Sequence, residues 1–370
     1  MINRDRLLGL FADLVKIDNP TLKERNMCDK IKEILNSLHI EAYEDDTGSK
    51  IGGNAGTLYA YIDGTLDLPP ILLSTHMDVV NPACGKTAVF HPDGKITSDG
   101  TTVLGADDLA GVSEILEALT VLKESGLPHR PIEVLFSVSE ETYCTGIKQF
   151  DFNRIQSKEA YVLDITGPVG DAANQAPSVM KFRADFHGLA AHAGFAPETG
   201  IHTIKAAAAA ISSIDCGHVG DLTVNIGTIN GGIADNIVPE ACTITGEVRG
   251  FSDDNVKKQV KMIEEKVRSA ADSVGATVDF HAETLCVAYY VEETEPVSLR
   301  FQNACAKTGL TCNFVNTYGA SDNNVFLLHG IRGLVIAPGM NNCHSTEEYT
   351  HVSDLENAAE LVLALILAKE

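Results

Sequence analysis

Basic side chains are scarce in this sequence of 370 residues. It has 28 lysines and arginines against 51 aspartates and glutamates, which gives a net charge of −23 at pH 7. Nucleic acids and anionic membrane surfaces are bound by clustered basic side chains. We therefore expect neither of these partners. The excess of acid favours solubility, and part of it can serve a carboxylate-rich site that attracts cations.

Paired cysteines and long apolar runs are missing as well. The nine cysteines are scattered without a C-x-x-C pair, so we expect neither a disulfide framework nor a zinc ribbon. The longest apolar candidates, such as 361–367, are too short to span a membrane. Residues 1–6 lead directly into an amphipathic pattern without the apolar core of a signal peptide. These absences predict a protein of the reducing cytoplasm.

The stretch 71–78 is a short apolar run that ends in a histidine and an aspartate. Its length, and the prolines on both sides of it, are typical of a buried parallel strand. Side chains two positions apart on a strand point to the same face, so His76 and Asp78 leave the strand together. In open α/β sheets the carboxyl ends of the strands form the edge that binds ligands. Because His-x-Asp is also common in solvated loops, the pair gains weight only from similar patterns downstream.

Three further apolar stretches deliver acidic or histidine side chains at or just beyond the same edge. The stretch 132–138 precedes Glu140 and Glu141, 160–163 precedes Asp164, and 333–337 precedes His344. Two adjacent carboxylates at a strand end repel each other unless a cation or a shared proton relieves them. Charges placed by chance would scatter over both edges of the sheet, so this pattern predicts a site.

Asp107 and Asp108 stand at the start of a predicted helix that stops at Gly126. One aspartate at such a position is expected to be an N-cap. Capping requires only one of them, which leaves the other available for the site. Asp322 also precedes a helical pattern, and we expect it to cap that helix rather than to bind a metal.

Five of these side chains offer nitrogen or oxygen donors without a thiolate: His76, Asp107, Glu141, Asp164 and His344. Such donors suit zinc, cobalt or manganese. Five are more than one zinc ion usually takes from protein, whereas two ions bridged by a carboxylate would use all of them. Glu140 then remains as a general base that accepts a proton from water, and Asp78 can orient the ring of His76.

The hydrophobic period changes between residues 179 and 289. Strand, helix, strand, strand, helix and strand patterns follow one another there, which is the order of a split βαβ, ferredoxin-like α+β domain. Residues 1–178 and 290–370 would together form an α/β domain with a mostly parallel, doubly wound sheet. The sequence thus predicts a metal-binding catalytic domain with a second domain inserted into it.

In this order and spacing the residues resemble the dinuclear zinc exopeptidases, the family of peptidase T, glutamate carboxypeptidase, succinyl-diaminopimelate desuccinylase and aminoacylase. The resemblance rests on five motifs spread over nearly the whole chain: the His-x-Asp strand, 105–108, the Glu140-Glu141 pair, Asp164 and His344. It implies that Asp107 bridges two zinc ions, one of them further held by His76 and Asp164. The other ion would be held by Glu141 and His344. It also implies that Glu140 is the catalytic base and that the bond after Asp107 is often cis.

The same resemblance implies that 179–289 is a lid, and that in several relatives the lid forms a homodimer interface. His192, which lies in a loop flanked by glycines, matches a histidine that helps to hold the scissile carbonyl oxygen. Asn236 and Arg249 match residues that grip the substrate, Arg249 through the substrate carboxylate. Arg249 could instead pair with an acidic neighbour. Leu109 departs from the family, because relatives often carry a lysine there.

Family members that cleave amino-terminal residues tend to carry aspartate at the position of Asp164, whereas carboxypeptidase-like members tend to carry glutamate. The resemblance therefore favours an aminopeptidase or tripeptidase of the peptidase T kind, which hydrolyses the first bond of a short peptide with a dizinc-activated water. The alternatives are an amidohydrolase of N-acyl amino acids or a carboxypeptidase on the same scaffold. A non-catalytic binding relative would be expected to lose a ligand or Glu140, and both are present here.

Overall fold

The computed structural model describes residues 1–368 and divides into two compact units. The outer unit comprises Met1–Gln175 and the chain from Tyr290 onwards, and the inserted unit is Ala176–Tyr289. The inserted domain expected from the sequence, 179–289, starts three residues later and ends at the same residue.

Nine α-helices lie within the described residues, and most of them begin where the sequence pattern turns amphipathic. They are α1 Arg4–Val15, α2 Arg25–Ser37, α3 Thr47–Ile51, α4 Ala106–Ser125, α5 Thr203–Ser213, α6 Asp253–Asp272, α7 Pro296–Thr308, α8 Asp322–Leu328 and α9 Val352–Leu367. For the last helix the sequence pattern predicts 353–369, of which Lys369 lies outside the described residues. None of the helices in 1–368 combines the length and apolar character that a membrane span requires.

The strands fall into four sheets. They are β1 Tyr43–Glu44, β2 Leu58–Ile62, β3 Ile71–His76, β4 Val89–Phe90, β5 Lys95–Thr97, β6 Ile132–Ser137, β7 Glu159–Val162, β8 Asp171–Ala176, β9 Ser178–His187, β10 Ala191–His192, β11 Gly217–Val219, β12 Leu222–Gly231, β13 Ile237–Val238, β14 Ala241–Gly250, β15 Thr277–Cys286, β16 Tyr289–Tyr290, β17 Asn313–Asn316, β18 Arg332–Ile336 and β19 Tyr349–His351.

The sheet of the outer unit has the order β1-β2-β6-β3-β7-β18-β8-β16, with β17 paired to β8. Its four central strands, β6, β3, β7 and β18, are parallel. β2 runs antiparallel to β6, and β8 runs antiparallel to β18 and parallel to β17. Every residue of β3 and β6 is buried, which explains why these strands appear in the sequence as continuous apolar runs. The predicted doubly wound α/β fold is confirmed, and its sheet is mixed, with the predicted strands at the centre.

The inserted unit has a five-stranded antiparallel sheet in the order β11-β12-β14-β9-β15. Along β9, Phe182, Ala184 and Phe186 are buried in a core with the apolar faces of α5 and α6. The alternating side chains, such as Lys181 and Arg183, are exposed. The chain order β9-α5-β12-β14-α6-β15 confirms the predicted split βαβ arrangement.

Glu114, on α4, is a fully buried carboxyl group outside the predicted site. Both of its oxygens lack a hydrogen-bond partner among the described residues. Burial, and then the nearby charges of Asp108 and Asp354, raise the pKa of Glu114 well above its ordinary value. The neutral, protonated form of Glu114 is therefore favoured in the folded protein.

Replacing Glu114 with glutamine should weaken the pH dependence of stability. Above its ordinary pKa of 4.5, the unfolded chain releases a proton that the folded chain keeps. The free energy of unfolding therefore falls as pH rises through the window between the two pKa values, by about 1.4 kcal/mol per pH unit. Urea unfolding should show that the free energy of unfolding decreases less between pH 5 and pH 8 for Glu114→Gln than for the wild type. Glu124→Gln, on the exposed end of the same helix, is the matched control, and equal losses for wild type and Glu114→Gln would contradict the expectation.

Candidate metal centre

The predicted donor side chains meet at the carboxyl ends of the central strands. His76 is the last residue of β3, Glu140 and Glu141 form a short 3-10 turn after β6, Asp164 follows β7, His344 follows β18, and Asp107 is at the start of α4. Because parallel strands end at the same edge of a sheet, residues far apart in sequence become neighbours there.

Asp107 lies between two pairs of donors. Its Oδ1 is 3.1 Å from Nε2 of His76, and its Oδ2 is 3.2 Å from Nε2 of His344. On the first side, Nε2 of His76 also lies 3.8 Å from Oδ1 of Asp164. On the second side, Nε2 of His344 lies 3.0 Å from Oε2 of Glu141. The two oxygens of one carboxylate thus face two separate donor pairs.

The electrostatics of these groups are those of a crowded, buried cluster. Hydrogen bonds to Asp107 and Glu141 raise the pKa of His344 to about 10. For His76, burial lowers the pKa, but the carboxylates of Asp107 and Asp164 outweigh it, and the pKa lies well above its ordinary value. Burial raises the pKa of both Glu141 and Asp164. The protonated form of both imidazole rings is therefore favoured, and His344 is protonated at neutral pH when no other cation is present.

The residues fit metal ions. Donor atoms of His76, Asp107 and Glu141 lie within 4.8 Å of one another, and so do those of His76, Glu140 and Asp164. Oε1 of Glu141 is buried and has no hydrogen-bond partner among the described residues. A divalent ion would satisfy this oxygen and replace the imidazolium protons as the compensating charge. The side chain of His344 is 56% exposed, so the cluster is open to solvent on that side.

Asp108 explains why the helix begins with two aspartates. The peptide bond between Asp107 and Asp108 is cis, as the resemblance implied. The carboxylate of Asp108 turns inward, where it accepts hydrogen bonds from the hydroxyl of Thr75 and from the N–H of Gly111, the latter at 3.3 Å. A Cβ on Gly111 would lie 2.5 Å from this carboxylate and 2.8 Å from Leu163, so only glycine fits. Asp108 anchors the helix to β3, and Asp107 faces the donors.

Asp78 holds the turn that carries the paired glutamates. Its carboxylate accepts hydrogen bonds from the N–H groups of Glu140 at 3.0 Å and Glu141 at 3.3 Å, and from the hydroxyl of Thr21 at 2.8 Å. Nδ1 of His76 lies 3.0 Å from the backbone carbonyl oxygen of Asp78 and 3.5 Å from its carboxylate. The ring is therefore oriented mainly by the backbone of Asp78, while its side chain positions the glutamates.

Glu140 is buried beside Cys144 and Asp322, neither of which the sequence assigned to the site. The thiol of Cys144 donates a hydrogen bond of 3.4 Å to Oε1 of Glu140, and Asp322 lies within 4.8 Å of both. The expectation that Asp322 caps α8 is wrong, because Ser321 is the N-cap and Asp322 is the first helical residue, 1% exposed. The sequence around Asp322 has the pattern of a helix cap. Only tertiary packing brings the start of α8 to Glu140, so the sequence did not indicate this contact.

Glu24 and Glu348 are two further buried acids that the sequence reasoning missed. Oε1 of Glu24 accepts hydrogen bonds of 3.1 Å from both the N–H and the hydroxyl of Ser139, the residue before Glu140. Glu348 accepts hydrogen bonds from the segment that carries Asp107. Both glutamates lie in polar stretches that look solvent-exposed in the sequence, so no local signal distinguished them.

In the inserted unit, His192 and Asn236 lie together. β10 and β13 pair His192 with Ile237, and the N–H of Ala193 donates a 2.9 Å hydrogen bond to the carbonyl oxygen of Asn236. Nδ1 of His192 accepts the N–H groups of Gly194 at 3.1 Å and Phe195 at 3.2 Å. In the neutral ring the proton is therefore on Nε2, which makes the exposed side of the ring a hydrogen-bond donor.

Arg249 lies at the other end of the inserted sheet. Arg249 lies on β14 and pairs with Val179 of β9. At the opposite end of β14, Ala241 pairs with His187, and these two residues adjoin β13 and β10 in the chain. Nε of Arg249 lies 2.8 Å from Oε1 of Glu247. Pairing with an acidic neighbour was the alternative left open for this arginine, and the structure contains that pair.

Comparison with known proteins gives close matches over the whole chain. Residues 176–275 match the peptidase dimerisation domain of the M20 family. The uncharacterized protein YqjE of Bacillus subtilis is 35% identical over 367 residues, which cover 99% of each chain. A tripeptidase from Staphylococcus aureus has a TM-score of 0.95 at 32% identity, over 99% of this chain and 98% of its own. Aminopeptidase PepT from Bacillus cereus has a TM-score of 0.90 at 36% identity, with the same coverage.

The fold and the donor cluster define a hydrolase of the metal-dependent class, with a second domain inserted into the catalytic one. At this identity and coverage, the chain belongs to the M20 peptidase family. The resemblance found in the sequence is confirmed, and the protein is a metal-dependent exopeptidase. The roles of individual side chains remain predictions.

Zinc binding should tighten as pH rises from 6 to 8. The pKa of His344 lies near 10, so its ring must release a proton before it can bind an ion. For each proton that is released when the ion binds, the apparent affinity increases about tenfold per unit rise in pH. Calorimetric titrations in two buffers with different ionisation enthalpies would count the protons. His344→Ala should release one proton fewer than the wild type, and an affinity independent of pH would contradict the expectation.

Proposed function

We propose that the protein is a dinuclear zinc aminopeptidase that removes the amino-terminal residue of short peptides, tripeptides above all. The observation that carries this proposal is the position of Asp107, whose two oxygens face two separate donor pairs, with Glu140 beside one of them. The similarity to a tripeptidase and to an aminopeptidase supports the substrate class.

In this proposal one ion is held by His76 and Asp164, the other by Glu141 and His344, and Asp107 bridges them. All five donors are nitrogen or oxygen, which suits zinc and also permits cobalt or manganese. When bound, the ions lower the pKa of a water molecule and polarise the carbonyl group of the substrate.

Glu140 is proposed as the general base. It accepts a proton from the attacking water and returns it to the leaving amine. Burial, and then the charge of Asp164, raise the pKa of Glu140 well above its ordinary value, which makes it a stronger base for this transfer. Asp78 positions Glu140 through the backbone hydrogen bond of 3.0 Å. Cys144 fixes one oxygen of Glu140, so the other is available to the water.

The inserted unit is proposed to bind the substrate. Nε2–H of His192 would donate a hydrogen bond to the scissile carbonyl oxygen, where negative charge develops during the reaction. Asn236, next to His192, would contribute a second polar contact. Arg249 would bind the carboxylate of the peptide, for which it must leave its present partner Glu247.

The proposed location is the cytoplasm. No disulfide joins any of the nine cysteines, all of which lie within the described residues, and five of them are buried. Reduced thiols of this kind persist in a reducing compartment. The proposed partners are a short peptide and a second copy of the chain, with no nucleic acid and no membrane.

Replacing Glu140 with glutamine should abolish hydrolysis and leave metal binding intact. The amide cannot accept the proton of water, and loss of a general base of this kind costs about 10²–10⁴-fold in kcat. The assay offers the zinc-loaded protein free-amine tripeptides, dipeptides and N-acyl amino acids, with products identified by mass spectrometry. We expect the wild type to release the amino-terminal residue and Glu140→Gln to release none. Deacylation alone would replace the proposal by the amidohydrolase alternative, and release of the carboxyl-terminal residue by the carboxypeptidase alternative.

We propose a homodimer in which His192 and Asn236 of one copy serve the metal centre of the other. Residues 241 and 249 stand at opposite ends of β14, about 27 Å apart at 3.4 Å per residue. A tripeptide is about 10 Å long, so it cannot contact Arg249 and His192 of the same inserted unit. Phe195 and Ile233, both 85% exposed, would be covered in the dimer. The match to a dimerisation domain supports this arrangement.

Mixed dimers test this arrangement. Glu140→Gln and His192→Ala should each be inactive as pure dimers. Co-expressed with different tags, they should recover about a quarter of the wild-type rate, because half of the dimers are mixed and each mixed dimer has one complete site. If each metal centre used the His192 of its own copy, no site in a mixed dimer would contain both Glu140 and His192. Activity no higher than that of the pure variants would therefore contradict the proposal.

A further inference from the structure

Glu348 is a buried acid that is neither a member of the donor pairs nor the proposed general base. Its side chain is 1% exposed, whereas the adjacent Glu347 is exposed. It lies on a hairpin in which Asn341 and Tyr349 exchange two backbone hydrogen bonds of 3.0 Å each. His344 is on the same hairpin, four residues before Glu348.

The carboxylate of Glu348 binds the backbone at the start of α4. Its Oε2 accepts the N–H of Gly105 at 2.7 Å, and its Oε1 accepts the N–H of Asp107 at 2.9 Å. The first N–H groups of a helix have no acceptor within the helix, and the positive end of the helix dipole favours an anion there. Both oxygens are thus used on the segment that presents Asp107.

Lys86 supplies a neighbouring positive charge. A Cβ on Gly105 would lie 3.3 Å from Cε of Lys86, so the buried lysine packs against the same glycine that Glu348 binds. Its Nζ donates hydrogen bonds to the carbonyl oxygens of Ile17 and Ala83 and to the side chain of Asn19, none of which is charged. The carboxylates that act on this buried ammonium are Asp18 and, more weakly, Glu348.

Two segments separated by 241 residues are therefore tied by one side chain. One segment carries Asp107, which faces both donor pairs, and the other carries His344, which belongs to one pair. The distance of 3.2 Å between Asp107 and His344 depends on how these two backbones are placed. A carboxylate that accepts two backbone N–H groups fixes both the distance and the orientation of the segments.

We propose that Glu348 is a positioning residue that sets Asp107 and His344 in place for metal binding before any ion arrives. The proposal rests on the two-metal assignment made above and adds a residue that touches neither metal nor substrate. Residues behind the ligands of a metal site commonly contribute about 10–100-fold to its affinity.

Glu348→Gln tests the proposal, because an amide has one acceptor and must turn its NH₂ group toward one of the two N–H donors. Glu347→Gln is the matched control, with the same change of charge one residue away on the exposed side. Zinc affinities are measured by competition with a chelator, and the visible spectrum of the cobalt-loaded protein reports the coordination geometry. For Glu348→Gln we expect at least one ion to bind about 10–100-fold more weakly and the cobalt spectrum to change. Glu347→Gln should match the wild type in both measurements.

A merely structural role would give another result. It would lower the melting temperature of the metal-free protein and leave both affinities and the cobalt spectrum of the folded protein unchanged, which would overturn the proposal. If Glu348→Gln does not fold, Glu348→Asp replaces it, since the shorter carboxylate keeps the charge but cannot reach both N–H groups. A smaller loss of affinity is then expected, and wild-type affinity would again overturn the proposal.

The metal measurements separate this inference from the proposed function. If the wild type binds two ions and cleaves no peptide, the aminopeptidase proposal fails and the role of Glu348 still stands. If the wild type is active and Glu348→Gln binds both ions as tightly as the wild type, only the proposed role of Glu348 is contradicted.

Discussion

The outer unit depends on a concentration of buried negative charge at one edge of its sheet. The carboxyl groups that meet there include Asp107, Glu140, Glu141 and Asp164. Burial disfavours the charged form of each, and their mutual repulsion adds to that cost. The protonated rings of His76 and His344 compensate part of the charge, and divalent ions would compensate more of it. Metal affinity and the stability of this edge are therefore two aspects of one electrostatic balance.

The same edge is held in shape by carboxylates that bind backbone rather than metal. Asp78 accepts the N–H groups of the paired glutamates, Asp108 anchors the start of α4, and Glu348 ties that start to the hairpin of His344. Each acts where the chain leaves a strand or enters a helix, because there the backbone N–H groups lack partners from secondary structure. Acid residues thus have two functions here, and only their contacts distinguish donors from supports.

The inserted unit contributes groups of a different kind. Its backbone sets the tautomer of His192, so that a hydrogen-bond donor rather than an acceptor is presented. Arg249 is held by Glu247 at the far end of β14. These two groups are separated by the length of a strand, and the proposed dimer would bring both of them to one short peptide. Substrate binding and assembly would then be linked.

The sequence by itself determined the four central strands, the donors at their ends and the order of elements in the inserted unit. These features follow from local information, namely apolar runs bounded by prolines and the position of a polar residue at a strand end. The tertiary structure alone decided what Asp322, Glu348 and the carboxylate of Asp78 do. Asp78 and Glu140 are 62 residues apart, and Glu348 and Asp107 are 241 apart. Such contacts leave no periodicity in the chain, because they form only when distant loops meet at the same sheet edge.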